Sequence, residues 1–107
     1  MRKPNLNKQQ VVCDIRNYIE KQRNYRNAAL TAADVADAIG ISRTSLSNIM
    51  REEMGVTFLQ YIDKLRLQQA HHIIANRKTC DLEHIALLVG FATERTFKEK
   101  YKKTYGI

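Results

Sequence analysis

At 107 residues the chain is the size of one ordinary domain, and with 44% hydrophobic residues it can bury a core, which excludes wholesale disorder. One proline, four glycines and no runs of alternating polarity make an all-α fold the expectation. A net charge of +7 and a pI of about 9.7 suit a polyanionic partner, and no stretch approaches the roughly 20 apolar residues of a membrane span.

Residues 1–6 read as a frayed lead-in, basic but followed by no signal-type apolar run, so a cytoplasmic location is expected. Over residues 7–22, Val11, Val12, Ile15, Tyr18 and Ile19 form one helical stripe. Residues 24–30 are polar with two alanines and read as a loop. Thr31 is placed to cap a second helix, with Asp34 in its first turn suited to the helix dipole. Val35, Ala36 and Ile39 supply its apolar face, and Gly40 stops it. Ser42 caps a third helix running to about Met54, with Leu46, Ile49 and Met50 inward and Gly55 as the stop.

Thr57 caps a longer fourth helix whose apolar stripe is Phe58, Leu59, Ile62, Leu65, Leu67, Ala70, Ile73 and Ile74. Residues 76–79 form a polar connection. Asp81 caps the fifth helix, with Leu82, Ile85, Ala86 and Val89 inward and Gly90 as its stop; Thr93 caps the sixth, with Phe97 and Tyr101 inward. Cys13 and Cys80 lie far apart on apolar helical segments and read as buried small hydrophobes of a reducing compartment. Tyr18, Tyr61, Tyr101 and Tyr105 read as core-edge residues.

One pattern occurs twice. Residues 34–42 form a short helix, a glycine, an apolar residue and a cap, and residues 83–93 repeat the arrangement. Ala36 and Ala86 each stand four residues before the glycine, where a small side chain lets the next helix cross closely. Ile41 and Phe91 plug the angle between helices. Two helix-turn-helix units in one short chain point to double-stranded DNA, because the second helix of such a unit can enter a major groove. On the third helix the outward positions are Arg43, Thr44, Ser47, Asn48 and Arg51, all hydrogen-bond donors, and Asn48 suits an adenine edge. On the sixth they are Glu94, Arg95, Thr96, Lys98, Glu99 and Lys102; Arg95 suits guanine and Glu99 the cytosine amine. Base reading is expected of Arg43, Thr44, Ser47, Asn48, Glu94, Arg95, Thr96, Lys98 and Glu99, and backbone contact of Ser42, Arg51, Thr93 and Lys102. A connecting helix of about 18 residues spans roughly 27 Å, comparable with the roughly 34 Å between adjacent major grooves on one face of DNA.

The residues Asp34-Val35-Ala36, Gly40-Ile41-Ser42, Leu46, Gly55 and Tyr61-Ile62 carry a family resemblance, as do Arg66-Leu67, Ala70, Ile85-Ala86, Gly90-Phe91, Phe97, Tyr101-Lys102-Lys103 and Gly106. Over residues 15–107 the chain resembles the DNA-binding domain of the AraC/XylS family of bacterial transcription regulators. Met50 stands where that family usually has phenylalanine, and Thr93 where an acidic residue is common; each keeps its local role as apolar plug or cap. The resemblance implies a first subdomain over residues 7–55, a connecting helix over 56–75 and a second subdomain over 76–107, docked in successive major grooves. It also implies promoter regulation, with RNA polymerase as a possible protein partner. The family pattern continues beyond Gly106, so the chain reads as an excised domain whose sensing or dimerising part lies elsewhere, in preference to the alternative of a small stand-alone regulator.

Charge is unevenly spread. Residues 1–26 carry seven basic and two acidic groups, a net +5, whereas residues 31–54 carry two and four, a net −2. Residues 55–80 stand at +3 and residues 81–107 at +1. Phosphate attraction is therefore expected from Lys8, Arg16, Arg66 and Lys78, with Asp34, Asp37, Glu52 and Glu53 turned away from DNA. Asp34 and Asp37 could instead offer an acidic face to polymerase, although a helix N-terminus accounts for Asp34 by itself. The acidic first unit also leaves open a protein-interaction module with weak, non-specific DNA affinity. His71, His72 and His84 lack partners at metal spacing, no cofactor is expected, and no phosphate loop or nucleophile motif points to an enzyme.

Overall fold

The computed structural model describes residues 7–77 and 81–106, with the side chain of Arg77 left aside. The expectations placed on residues 1–6, Lys78, Thr79, Cys80 and Ile107 lie outside these. The described residues are helical, with no strand among them. Helix α1 is Lys8–Arg16, α2 Ala32–Ile39, α3 Arg43–Ile49, α4 Phe58–Arg77, α5 Leu82–Val89 and α6 Glu94–Tyr105. Wider π-helical turns continue α1 over Asn17–Lys21 and α3 over Met50–Met54.

Local chemistry sets most boundaries. The side chains of Asn7, Ser42, Asp81 and Thr93 accept from the backbone N–H three residues on. Thr31 and Asp34 form a reciprocal capping box, as do Thr57 and Gln60. Gly40, Gly55, Gly90 and Gly106 all take the left-handed conformation that ends a helix. Asn76 and Arg77 complete α4, so the connection expected at residues 76–79 begins later than the composition suggests.

The chain divides into two compact units. The first holds the residues up to Asn24 and Ala29–Ile62; the second holds Tyr25–Ala28 and everything from Asp63 onward. Within the first, Val11, Ile15, Ile19, Val35, Ala36, Leu46, Ile49, Met50 and Ile62 are buried. Tyr61 is buried with them, and its hydroxyl donates to the Glu20 carboxylate. Burial, then this hydrogen bond, pushes the Tyr61 phenol well above its usual range. The acidic end of the recognition segment is tied to α1: Lys8 Nζ donates to Glu52 at 3.0 Å and Gln9 to Glu53 at 3.1 Å.

The second unit has one apolar cluster: Leu67, Ala70, Ile73, Ile85, Ala86, Val89, Phe91, Phe97 and Tyr101. Phe91, Phe97, Tyr101 and Tyr105 form a ladder of tilted rings 4.7–5.5 Å apart. His71, exposed, stacks on Tyr105 at 4.2 Å and hydrogen-bonds the Tyr101 hydroxyl at 2.9 Å.

Several expectations fail here. Residues 24–30 are not a plain loop: Asn24–Arg26 is a 3-10 turn and Tyr25 is buried. Arg66 is not a phosphate-facing residue but is 7% exposed. Its Nε donates to the Tyr25 carbonyl at 2.7 Å, its Nη2 to the Asn27 carbonyl at 3.0 Å, and its guanidinium lies 5.7 Å over the Phe91 ring. Burial lowers its pKa, opposed by Asp63. Leu59, placed in the apolar stripe of α4, is 58% exposed. Cys13 is exposed and free, because the buried positions of α1 are Val11 and Ile15, one turn apart, and Cys13 lies two residues from each on the other face.

Candidate nucleic-acid interface

The two helix-turn-helix angles are built alike. Gly40 leaves α2 at φ +89° and Gly90 leaves α5 at φ +109°. The following N–H, of Ile41 or Phe91, bonds back to the carbonyl of Ala36 or Ala86 at 3.0 and 2.9 Å. Both alanines are fully buried, which lets the next helix approach. The turns nevertheless differ. Nothing lies within 4 Å of a Cβ built at Gly40, whereas one at Gly90 would meet the Tyr25 carbonyl oxygen at 2.4 Å, Arg66 Nε at 2.8 Å and the Arg26 carbonyl carbon at 2.9 Å. Gly90 thus gives Tyr25–Ala28 its seat in the second unit as well as turning the chain.

After each turn a hydroxyl cap starts the next helix, α3 or α6. Ser42 Oγ accepts from Ser45 N–H and donates to Ser45 Oγ, and Thr93 Oγ1 repeats both contacts with Thr96. These hydroxyls are thus engaged in starting their helices. Residues 43, 44, 47, 48 and 51 then share one side of α3 and its π turn, and all five are exposed. Residues 94, 95, 98, 99 and 102 repeat that spacing on α6; Glu94 is half-buried and the rest are exposed. Thr96 is exposed beside them, its hydroxyl engaged with the cap.

The two faces differ electrically. That of α3 has two cations and no acid, and Arg51 Nη2 donates to Asn48 Oδ1 at 2.7 Å. On α6 each acid is matched with a cation one turn away: Lys98 Nζ lies 2.7 Å from Glu94, and Arg95 Nε 3.7 Å from Glu99. Lys102, the third cation of that face, stands exposed three residues after Glu99. Asp34 is occupied in its capping box, which is the local account of its charge. Lys8 pairs with Glu52, which raises its pKa, and Arg16 lies 3.9 Å from Glu20, so both cations expected to meet phosphate already face a carboxylate.

The buried arginine escaped sequence reading because an arginine at helical spacing has the same composition signal whether it faces solvent or a carbonyl. The nearest clue is the matching of Arg66 and Gly90-Phe91 to one family pattern, which does not say that they touch. Among the described residues no three His, Cys, Asp or Glu side chains are grouped to hold a metal ion, and no helix is long and apolar enough to cross a membrane.

Comparison with known proteins agrees with this geometry. Residues 35–107 match a family described as a helix-turn-helix domain. The probable transcription factor PqrA of Proteus vulgaris is 32% identical over 95 residues, which cover 89% of this chain and 76% of that protein. The probable transcriptional regulator LumQ of Photobacterium leiognathi is 27% identical over 93 residues, 87% of this chain but 36% of its own length. Among solved structures, the C-terminal domain of AraT, a response regulator from Geobacillus stearothermophilus, superposes with a TM-score of 0.84 at 26% identity, covering 95% of this chain and 82% of that one. The chain therefore spans about a third of one curated relative and three quarters of the other.

Proposed function

The chain belongs to the AraC/XylS family as a helix-turn-helix domain that binds double-stranded DNA in transcription regulation, and from that premise we propose that it is a sequence-specific reader with two unequal halves. The supporting observation is the identical spacing of the exposed faces on α3 and α6, each behind a hydroxyl cap and a left-handed glycine. Arg43, Thr44, Ser47 and Asn48 read one major groove, with Ser42 and Arg51 beside the backbone. Arg95, Thr96 and Lys98, flanked by Glu94 and Glu99, read the next, with Thr93 and Lys102 at the phosphates. Residues 7–55 serve as the first reading module, 56–75 as connector and 76–107 as the second.

The halves contribute differently. The acid-free face of α3 carries most base discrimination. The face of α6 must break its internal ion pairs to engage DNA, so it adds grip more than sequence. In the cytoplasm, the sensing part of a longer regulator and RNA polymerase are the partners consistent with LumQ's greater length and with the exposed Asp37. A protein-interaction role for the first unit is favoured by one feature, its net −2 over residues 31–54.

Selection of duplexes from a random pool by the 107-residue chain, followed by titration of the winner at two salt concentrations, tests this. One motif with two half-elements about one helical turn apart is expected, together with steep salt dependence. Enrichment of a single half-element would confine readout to one unit. Absence of any enriched motif, with weak salt-sensitive binding, would sink the specific reader and leave the protein-interaction role.

A further inference from the structure

The base reader at position 48 does not present itself as a free amide. A guanidinium has five N–H donors and no acceptor, so the atom of Asn48 that meets Arg51 at 2.7 Å must be its oxygen. That contact orients the amide without ambiguity: Oδ1 turns toward Arg51, three residues on, and the NH2 group is left for a ligand. Both residues are exposed, and neither forms an ion pair with a carboxylate among the described residues. The charge-assisted bond is of the short, strong kind.

An adenine edge needs an acceptor and a donor side by side, because it offers its N7 acceptor next to an amine. Asn48 could supply both only by sharing Oδ1, whose electron density Arg51 already draws upon. The fixed positive charge beside it also opposes the approach of an adenine N–H. A guanine edge offers two acceptors, N7 and O6, and no donor in the major groove. The amide N–H of Asn48 and the remaining N–H groups of Arg51 form a set of donors only, carrying one positive charge.

We infer that Asn48 and Arg51 act as one unit that recognises guanine through N7 and O6, and that Arg51 sets this specificity by holding the amide. The inference rests on the base-reading role proposed above for α3. It also replaces the adenine edge expected of Asn48 and revises the backbone role proposed above for Arg51.

The test runs random-pool selection in parallel on the full chain, on Asn48→Ala and on Arg51→Met. The position that Asn48 reads is the one whose preference disappears in Asn48→Ala. It should be guanine for the parent chain, and 7-deazaguanine there should weaken parent binding roughly tenfold. In Arg51→Met the same position should accept adenine within about threefold of guanine, since the amide is then free to turn. Adenine at that position in the parent, or full affinity for the 7-deaza duplex, overturns the inference while leaving DNA reading intact. So does an Arg51→Met chain that loses affinity for all sequences alike and keeps its preference, the signature of a phosphate contact. Failure of the parent to enrich any motif would instead overturn the reading role itself, and this inference with it.

Discussion

A methyl group at Gly90 would press on Arg66 Nε and on main-chain atoms of Tyr25 and Arg26, far earlier in sequence, while at Gly40 it would enter open space. Gly40→Ala should therefore cost only the left-handed conformation, about 1–2 kcal/mol. Gly90→Ala should cost that and the clash together, about 2–5 kcal/mol. Denaturant unfolding of the two variants measures the difference, and equal losses would mean that Tyr25–Ala28 yields freely. Arg66 is the other half of that seat. Replacing it by methionine keeps much of the apolar stem but removes the charge-assisted donor to the carbonyl of buried Tyr25, an expected loss of about 3 kcal/mol. Because Arg66 is buried, the salt slope of duplex binding should not change so long as the variant is assayed below its unfolding transition. A slope lower by about 1 would return Arg66 to the phosphate contacts.

The recognition helices show how far local chemistry reaches. Caps at Thr31, Ser42, Thr57, Asp81 and Thr93, and the stops at Gly40 and Gly90, are visible in sequence because each depends on atoms within a few residues. The outward faces are visible for the same reason, since helical spacing alone puts residues 43, 47 and 51 together. What spacing cannot show is which element lies over a face at a given turn. Leu59 keeps the apolar rhythm of α4 yet stands exposed, and Arg66 breaks that rhythm yet is buried, because only the path of residues 25–28 decides what Arg66 meets. Nor can it show pairing along a helix: Glu94 with Lys98 and Glu99 with Arg95 each cancel a cation. Changing both glutamates to glutamine should free Arg95 and Lys98 for phosphate. Affinity for unrelated duplexes should rise, and the salt slope should steepen by about 1–2. An unchanged slope would show that α6 does not approach the backbone through these residues.

For the molecule as a whole, pH offers a probe of both units at once. Tyr61 in the first and Tyr101 in the second have phenols raised above the ordinary 10.0, in each case mainly by burial. A raised folded-state pKa means that the native chain holds its proton more tightly than the unfolded chain. The stabilisation is complete below pH 10 and is lost as pH rises beyond it. Lys8, raised by Glu52 from 10.5, adds the same sign in the same region. Urea midpoints should hold level from pH 7 to pH 9 and fall above pH 10, with Tyr61→Phe flattening part of the fall. A parent chain whose midpoint stays level through pH 11 would contradict the burial of these hydroxyls.

The seating of Tyr25–Ala28 in the second unit also constrains how such a chain could be inherited in pieces. A single crossover in α4 ahead of Arg66 between two diverged relatives would deliver the strap from one parent and its seat at Arg66 and Gly90 from the other. Hybrids of that kind should be unstable unless both parents agree at the contact, whereas a second crossover before residue 25 and a third after residue 28 would restore them. Exchange between relatives is therefore freer for α3 or α6 alone than for either contiguous half of the chain.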